Sequence, residues 1–503
     1  WHNKTGFDVV IGNPPYVQIQ KFSGQQIQKD FEAQQFETFT KTGDIYCLFY
    51  EKGYRLLRER GVLAFITSNK WMRAGYGEKL RRFFSEKTQP LTLIDFSSFQ
   101  VFATATVDTN VLLFGKQRRT HGVRSCLIDR SFTRFTPLET FVAKKSFELD
   151  DLSGESWVIS NKAEYEIKKQ IEKIGTPLNK WDIAIYRGIL TGFNEAFIID
   201  GKKKEELIAQ DPKSAEIIKP LLNGRDIKRY QLQLSDSWLL FIPWHFPLHE
   251  NLSITGASSE AESILKIDYP KIYDYLLGFK DKLSNRNKSE TGIRYEWYAL
   301  QRCAASYYKE FDKQKIVWGN LALSAQFAMA DPGMFINAPS TMITGAGNYL
   351  LAILNSSVGD YYIRSLGVSR SGGYFEYKPM FVEKLPVPII DNDRKKHFDN
   401  MINYILFTKE KEQKLQSAYF EQLIDGLVYE LYFPEEIRAA GKDILTHLGD
   451  LTPINDSMSE EDKLAVIQQE FERLYDPRHS VRNHLETLDS VNVVRTIREA
   501  LKR

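Results

Sequence analysis

Apolar residues fall along the chain in short blocks whose spacing reports the elements they build. Phe7-Asp8-Val9-Val10-Ile11-Gly12 is an apolar run that ends on a glycine and opens into Asn13-Pro14-Pro15, the pattern of a buried parallel strand leading to a stiff loop. Apolar positions then recur at helical spacing over 45–57, and Arg60-Gly61 closes that helix before a strand over 62–66. A basic helix over 77–87, a strand over 91–96 and a further apolar run over 109–114 follow. Strand, helix and strand make a crossover unit, so the first 120 or so residues predict half of a doubly wound α/β sheet. Open sheets of this kind place their sites at the C-terminal ends of strands, where Asn13 stands.

The pattern changes after residue 115, where the chain turns polar and mixed, with Gln117-Arg118-Arg119 and the acidic Glu148-Leu149-Asp150-Asp151. This predicts a domain edge and linker, with a boundary near Trp157. Three regions result: 1–157 for the sheet and linker, 158–389 for an α+β domain of short, Gly-, Pro- and aromatic-rich segments, and 390–503 for a helical region. Within the last, helical spacing runs from Arg394 to about Tyr432, and runs such as Glu460-Glu461-Asp462 read as solvated faces.

With 503 residues, 43% hydrophobic, the chain is long enough for two or three domains with their own cores. Its 67 Lys and Arg against 65 Asp and Glu leave a net charge of +2, so contact with a polyanion has to come from local basic patches. Cys47, Cys126 and Cys303 show no metal-ligand or disulfide spacing, which predicts no metal site and a reducing, cytoplasmic location. No apolar run is long enough for a membrane span. The N-terminus has no starting Met and no signal core, and the expectation is a chain cut out of something longer.

The chemistry concentrates at Asn13-Pro14-Pro15-Tyr16. The lone pair of an exocyclic base amine is delocalised into the ring, so a catalyst must hold the amine until its nitrogen becomes tetrahedral and nucleophilic. Two acceptors aimed at its two N–H bonds do this. Asn13 offers a side-chain carbonyl, and Pro14 offers a backbone carbonyl with no N–H of its own. Tyr16 supplies a ring to stack on a base taken out of its duplex, which offsets part of an unstacking cost of a few kcal/mol. By average residue usage these four residues meet by chance in a chain of this size with odds of about one in a thousand. The plain alternative is a proline-stiffened loop with a buried Asn cap and a packed Tyr.

The segment from Phe7 to Tyr16 resembles the catalytic motif of amino-methyltransferases that use S-adenosylmethionine, in the variant typical of N6-adenine. The resemblance continues in order through Asp44-Ile45-Tyr46 with Phe49 and Glu51, Leu56-Leu57, the stretch from Gly61 to Trp71, Val101-Phe102, and Asn110-Val111-Leu112-Leu113. This order is similar to the γ class, in which catalytic motifs precede the recognition domain. The resemblance implies a partial doubly wound, Rossmann-like methyltransferase sheet, catalysis by Asn13, Pro14, Pro15 and Tyr16, and Phe102 as a second aromatic against a flipped adenine; Phe102 or Phe99 as plain core is the alternative. It also implies a methyl-donor site mainly on a glycine-containing loop and an acidic residue upstream of the motif. Only Asn13 is left here as a cofactor contact, and the polypeptide alone is expected to bind the cofactor weakly or not at all.

The later chain resembles the TaqI-like C-terminal specificity domain of type IIG and related bacterial restriction-modification enzymes. The residues that carry this are 183–199, 218–227, Lys313-Gln314-Lys315-Ile316-Val317-Trp318, 350–356 and Leu385-Pro386-Val387-Pro388, with 424–432 similar to the closing helix of such enzymes. The implied function is site-specific adenine-N6 methylation of double-stranded DNA. A fragment that only binds DNA is the alternative, and an RNA adenine or a protein glutamine amide is disfavoured by the roughly 350 residues that follow the catalytic half.

A recognition domain needs phosphate anchors, which position, and base-edge readers, which specify. Arg187, Arg225, Lys228 and Arg229 lie in predicted loops, and Arg294, Trp297 and Arg302 interleave cations with aromatic rings; the loop from Arg225 to Tyr230 is expected at the backbone and the stretch from Arg294 to Arg302 in the groove. Arg370, in Ser369-Arg370-Ser371-Gly372-Gly373-Tyr374, is a third candidate. Lys79, Arg81 and Arg82 either reach phosphates near the flipped base or form a solvated helix face. Glu166-Ile167-Lys168 and Glu376-Tyr377-Lys378 lack the upstream Pro-Asp of a Mg²⁺-dependent nuclease, so Mg²⁺ is expected only if a nuclease lies outside this chain.

Overall fold

The computed structural model describes residues 6–96, 99–102, 107–129, 131–150, 152, 157, 159, 162–304, 306–367, 369–370 and 373–502. They form two compact units, Trp1–Gln170 with Ser365–Val368, and Ile171–Arg364 with Ser369–Arg503.

In the first unit, strand β1 (Phe7–Gly12) leads through helix α1 (Gln26–Ala33) to helix α2 (Ile45–Leu56) and strand β2 (Leu57–Ser68), which pairs parallel with β1. Helix α3 (Glu78–Lys87) precedes strands β3 (Gln89–Asp95), β4 (Thr109–Gly115) and β5 (Val123–Leu127), and helix α4 (Leu138–Lys145) precedes β6 (Phe147–Leu149). The sheet order is β1-β2-β4-β3-β5-β6. It is mixed, because β4 runs antiparallel to both β2 and β3 while β3 and β5 are parallel.

Neighbouring strand residues point to opposite faces, and here each face is covered. Leu93, Leu112 and Phe114 join a core with Tyr46 and Tyr50 of α2 and Phe83 and Phe84 of α3, while Ile94 and Cys126 join a second core with Phe141 and Val142 of α4. This is the doubly wound arrangement that the apolar blocks predict.

Four details differ from that prediction. The polar stretch after 115, predicted as a domain edge and linker, carries β5, α4 and β6 and completes the sheet. β1 lies at the sheet edge, so Val9 is 60% and Ile11 80% exposed although their apolar run predicts a buried strand. Helix α2 ends at Leu56, and Arg60-Gly61 sits inside β2, where the pairing with β1 shifts register between Phe7 and Val9. A side chain at position 61 would lie 2.8 Å from the Phe7 carbonyl oxygen, which is why a glycine stands there. Trp157, read as a boundary, is fully buried in the first unit, its ring 5.3 Å from Trp71 and its N–H on the Met72 carbonyl. The units divide between Gln170 and Ile171, inside helix α5 (Lys162–Ile174).

The second unit is α+β. Strands Phe327–Ala330, Lys315–Trp318, Thr341–Thr344 and Ala184–Arg187 form an antiparallel sheet in that spatial order, and Phe335–Ile336, Ile218–Leu222, Trp238–Leu240 and Ile198–Ile199 form another. Both feed one core that includes Val317, Met342, Leu239 and Ile336. Helices α6 (Asn392–Glu410) and α7 (Lys414–Tyr432) pack against each other, separated by Glu412 at φ 55°, where a continuous helical stretch was expected. The region after 390 thus belongs to this unit rather than forming a third one. Among the described residues, no helix is long and apolar enough to cross a membrane.

Candidate active site and nucleic-acid surface

β1 delivers Asn13 to the C-terminal end of a parallel strand pair, with Gly12 opposite Phe65. The two prolines hold the loop extended: Pro14 is buried and Pro15 is exposed, while Asn13 stays open to solvent. The half-buried Tyr16 returns its hydroxyl to the motif and donates to Asn13 Oδ1 at 3.1 Å and to the Ile66 carbonyl of β2 at 3.3 Å. Burial pushes the Tyr16 hydroxyl up from its ordinary pKa, so it stays a proton donor. Just beyond, Ile45 N–H donates to the Val17 carbonyl at 2.9 Å, which ties the motif to the start of α2.

That tie creates a network the sequence reading did not find. The Tyr16 ring meets Tyr46 edge-on at 6.1 Å. Tyr46 shares a hydrogen bond with Tyr76 at 2.8 Å, and the Tyr76 hydroxyl donates to Asp44 Oδ2 at 3.1 Å. Burial raises both hydroxyls well above the ordinary tyrosine range; the facing Tyr76 phenol and Asp44 add to this at Tyr46, whereas at Tyr76 the hydrogen bond with Tyr46 pulls the other way and Asp44 adds to the rise. Asp44 and Tyr46 carry part of the family resemblance; Tyr76, from a loop 30 residues on, has no sequence signal that pairs it with them.

Polar side chains also line the ends of the neighbouring strands. Asn110 Nδ2 donates to the Ser68 carbonyl at 3.0 Å, Asn69 Nδ2 donates to Asp95 Oδ1 at 2.9 Å, and Tyr50 and Thr67 hydroxyls lie 3.0 Å apart. Burial and then the nearby Asp95 push the Asp108 carboxyl up. Phe99 packs edge-on against Phe132 in the second core of the first unit. Phe102, in the loop before β4, is half-buried and meets no other ring among the described residues.

The basic candidates fare differently from one another. Arg81 is buried and donates to the Ala74 carbonyl, so it is no phosphate contact, and Arg82 pairs with Glu78 at 3.2 Å. In the second unit, Arg229 is held by Glu421 of α7 at 2.7 Å, an ion pair that removes it from the exposed loop set. Trp297 is buried in the core with its indole N–H on Glu262 at 2.7 Å, so its ring does not reach a groove. Arg294 and Arg302 are exposed yet both clamp Glu290, at 3.1 and 2.9 Å, and hold its carboxyl below the usual range. Arg370 lies in a short strand opposite Tyr374, with its side chain, Ser371 and Gly372 outside the described residues. Arg187 is exposed, the Arg225 side chain is 78% exposed with only Asp226 at 3.8 Å, and Lys228 is half-exposed.

Arg187 and Arg225 also converge. Arg187 lies opposite Thr341, which lies opposite Trp318. The next residues, Gly188, Ser340 and Gly319, continue these strands, and a Cβ on Gly319 would stand 3.7 Å from the Gly224 Cα, one residue from Arg225.

Residues 1–102 match the Eco57I restriction-modification methylase family model, and residues 219–387 match the TaqI-like C-terminal specificity domain. The chain is 25% identical over 462 residues to the type II restriction enzyme and methyltransferase RM.Eco57I of Escherichia coli, covering 86% of this chain and 45% of that protein. It is 23% identical to the type II methyltransferase M.BstVI of Geobacillus stearothermophilus, covering 85% and 73%. Among solved structures it is similar to the type IIL restriction-modification enzyme MmeI in complex with DNA, at 12% identity and a TM-score of 0.43, covering 98% of this chain and 57% of that one. The chain therefore spans less than half the length of the Escherichia coli relative.

Proposed function

For a chain that joins an Eco57I restriction-modification methylase segment to a TaqI-like specificity domain and has type II methyltransferases as relatives, we propose site-specific methylation of the adenine N6 amine in duplex DNA as the activity of the full-length protein. The observation that carries this reading is the acceptor pair at the end of β1, with Asn13 Oδ1 held in place by the Tyr16 hydroxyl at 3.1 Å.

Asn13 Oδ1 and the Pro14 carbonyl each accept one N–H of the amine, which localises the nitrogen lone pair toward the methyl donor. Tyr16 and Phe102 stack on the adenine once it has left the duplex, and each stacking contact offsets about 1–3 kcal/mol of the unstacking cost. The new bond to N6 would form as the methyl carbon leaves the donor's sulfonium sulfur, which would depart as a neutral thioether, and one of the two amine protons would pass to solvent. S-adenosylmethionine supplies the methyl group in such enzymes. Asn13 is the residue of this chain that would contact it.

On the recognition side, Arg187, Arg225 and Lys228 act as phosphate anchors, because their charge is not spent on a strong internal ion pair as it is for Arg229, Arg294 and Arg302.

The test is to express the full-length protein in a host and sequence its DNA for N6-methyladenine, comparing wild type with Asn13→Ala. One sequence motif modified by wild type alone supports the reading. Modified cytosine, or a labelled methyl group on RNA or protein, sinks it.

A further inference from the structure

Resting on the reading of the second unit as a DNA-recognition module, we propose that Asn320 and Asn337 are its base-reading residues, set on a floor made by Gly224 and Gly319 between the anchors Arg187 and Arg225. The four-stranded sheet places this cluster at one end. Trp318, Thr341 and Arg187 stand side by side, so Gly319 and Asn320 leave the sheet beside Ser340 and Gly188. From the other sheet, Leu222 pairs with Ile336 and hands over to Asn223-Gly224-Arg225, while Ile336 hands over to Asn337.

Three features make this a surface built for an incoming polar edge. The first is the floor: Gly224 is exposed and Gly319 half-exposed, neither carries a side chain, and a Cβ on either would stand within 4 Å of the other's Cα, so a base pair can approach the main chain closely. The second is the way the amides are held. Thr341 donates to Asn320 Oδ1 at 3.0 Å, which occupies the carbonyl and leaves the Nδ2 donor of the half-buried Asn320 for an incoming acceptor. Asn337 Nδ2 donates to Asn223 Oδ1 at 3.4 Å, which occupies the amine and leaves the Oδ1 acceptor of the half-buried Asn337 for an incoming donor. One fixed donor and one fixed acceptor are what discriminate base pairs along a major-groove edge. The third is Ser340, 1% exposed, whose hydroxyl oxygen has no partner and lies 3.3 Å from where a Cβ of Gly224 would stand. A buried hydroxyl without a partner carries a cost that a packed structural loop has no reason to keep.

The flanking cations complete the geometry. An exposed guanidinium on each side anchors phosphates without sequence information, and the amides between them supply it. Asn223 is itself tied to Asp226 at 3.2 Å, so it positions Asn337 rather than reading.

The experiment selects duplexes from a random pool with the full-length protein, which yields a binding site whether or not methyl transfer occurs, and repeats the selection with N320A, N337A and N320D. Each alanine variant is expected to lose discrimination at one or two base pairs of the site, with its cognate affinity about 5- to 100-fold weaker and its affinity for unrelated duplex unchanged. N320D, which replaces the donor by an acceptor, is expected to change the preferred base instead of erasing the preference. R187A and R225A are expected to weaken cognate and unrelated duplexes alike. Thermal unfolding of each variant at the wild-type temperature separates loss of reading from loss of fold. Unchanged site preference in folded N320A and N337A overturns the assignment, whereas a wild type that selects no duplex overturns the recognition reading beneath it.

Discussion

The hydroxyl of Tyr16 donates to Asn13 Oδ1 at 3.1 Å, across a proline pair that leaves the loop little freedom to rearrange. The carbonyl oxygen has two lone pairs, so Asn13 can keep this bond and still accept from a base amine. The proposed function gives Tyr16 two separable tasks, orienting the acceptor with its hydroxyl and stacking with its ring. Tyr16→Phe keeps the ring and is expected to slow methyl transfer about tenfold, the worth of one positioning hydrogen bond. Tyr16→Ala loses stacking as well and is expected to cost a further 1–3 kcal/mol, roughly. Single-turnover transfer of labelled methyl groups by the full-length protein measures both, and equal losses in the two variants would refute the division of tasks.

Asn13→Ala removes one acceptor from a single base amine, while affinity for duplex comes mainly from phosphates. Methyl transfer is expected to fall below detection with site-specific binding retained within about threefold, a difference under 1 kcal/mol. Titration of a labelled duplex checks this. Full loss of binding would instead assign Asn13 to holding the loop.

Arg229 and Arg187, alike in sequence terms, are expected to behave oppositely. Arg229 is ion-paired to Glu421 at 2.7 Å, and Lys409 pairs with the same carboxylate at 2.6 Å. Removing Arg229 leaves Glu421 Oε2 without its partner while Lys409 still holds Oε1, so Arg229→Met is expected to cost about 1–2 kcal/mol of stability. Its DNA affinity, measured below the unfolding transition, should keep the wild-type salt dependence. Arg187→Ala is expected to leave the urea midpoint in place and reduce the slope of log affinity against log salt by about one.

This contrast marks how far the sequence carries. Periodicity located β1 to β4 with α2 and α3, because burial on two faces imprints itself on neighbouring residues, whereas β5, α4 and β6 lie in the polar stretch that reads as a linker. The motif Asn13-Pro14-Pro15-Tyr16, on which the proposed function rests, stands out in the sequence for a related reason: its four residues are adjacent and their chemistry is local. Sheet position and long-range pairing were not legible. β1 reads as a buried strand because Val9, Val10 and Ile11 are all apolar, and only the strand order makes it an edge. Trp157 reads as linker because its surroundings are polar, although its ring lies against Trp71, 86 positions earlier. Arg229 reads as a free loop cation because Glu421, its partner, is 192 residues away. Charges on loops declare their type in the sequence, but whether each is spent internally is decided by tertiary structure.

Lys315 is the residue whose titration should be visible in stability. It lies wholly inside the second unit with Nζ donating to the carbonyls of Phe311, Lys313 and Asp331 at 2.7, 2.8 and 3.0 Å. Burial holds its pKa down to about 8, against the opposing pull of Asp312 and Asp331. In the unfolded chain the amine keeps its ordinary value of about 10.4. Below pH 8 both states carry the proton and the folded state bears the full cost of a buried charge. Between about pH 8 and 10.4 the folded state has released a proton that the unfolded state still binds, so stability rises with pH across that window. Lys315→Met has no such group, and all other titrations are common to both proteins. The difference in urea midpoint between wild type and Lys315→Met is therefore expected to be flat from pH 6.5 to 7.5, roughly, and to shift in favour of wild type from pH 8 to 10. Parallel midpoints over the whole range would mean that the three carbonyls keep Lys315 protonated in the fold as they would an exposed amine.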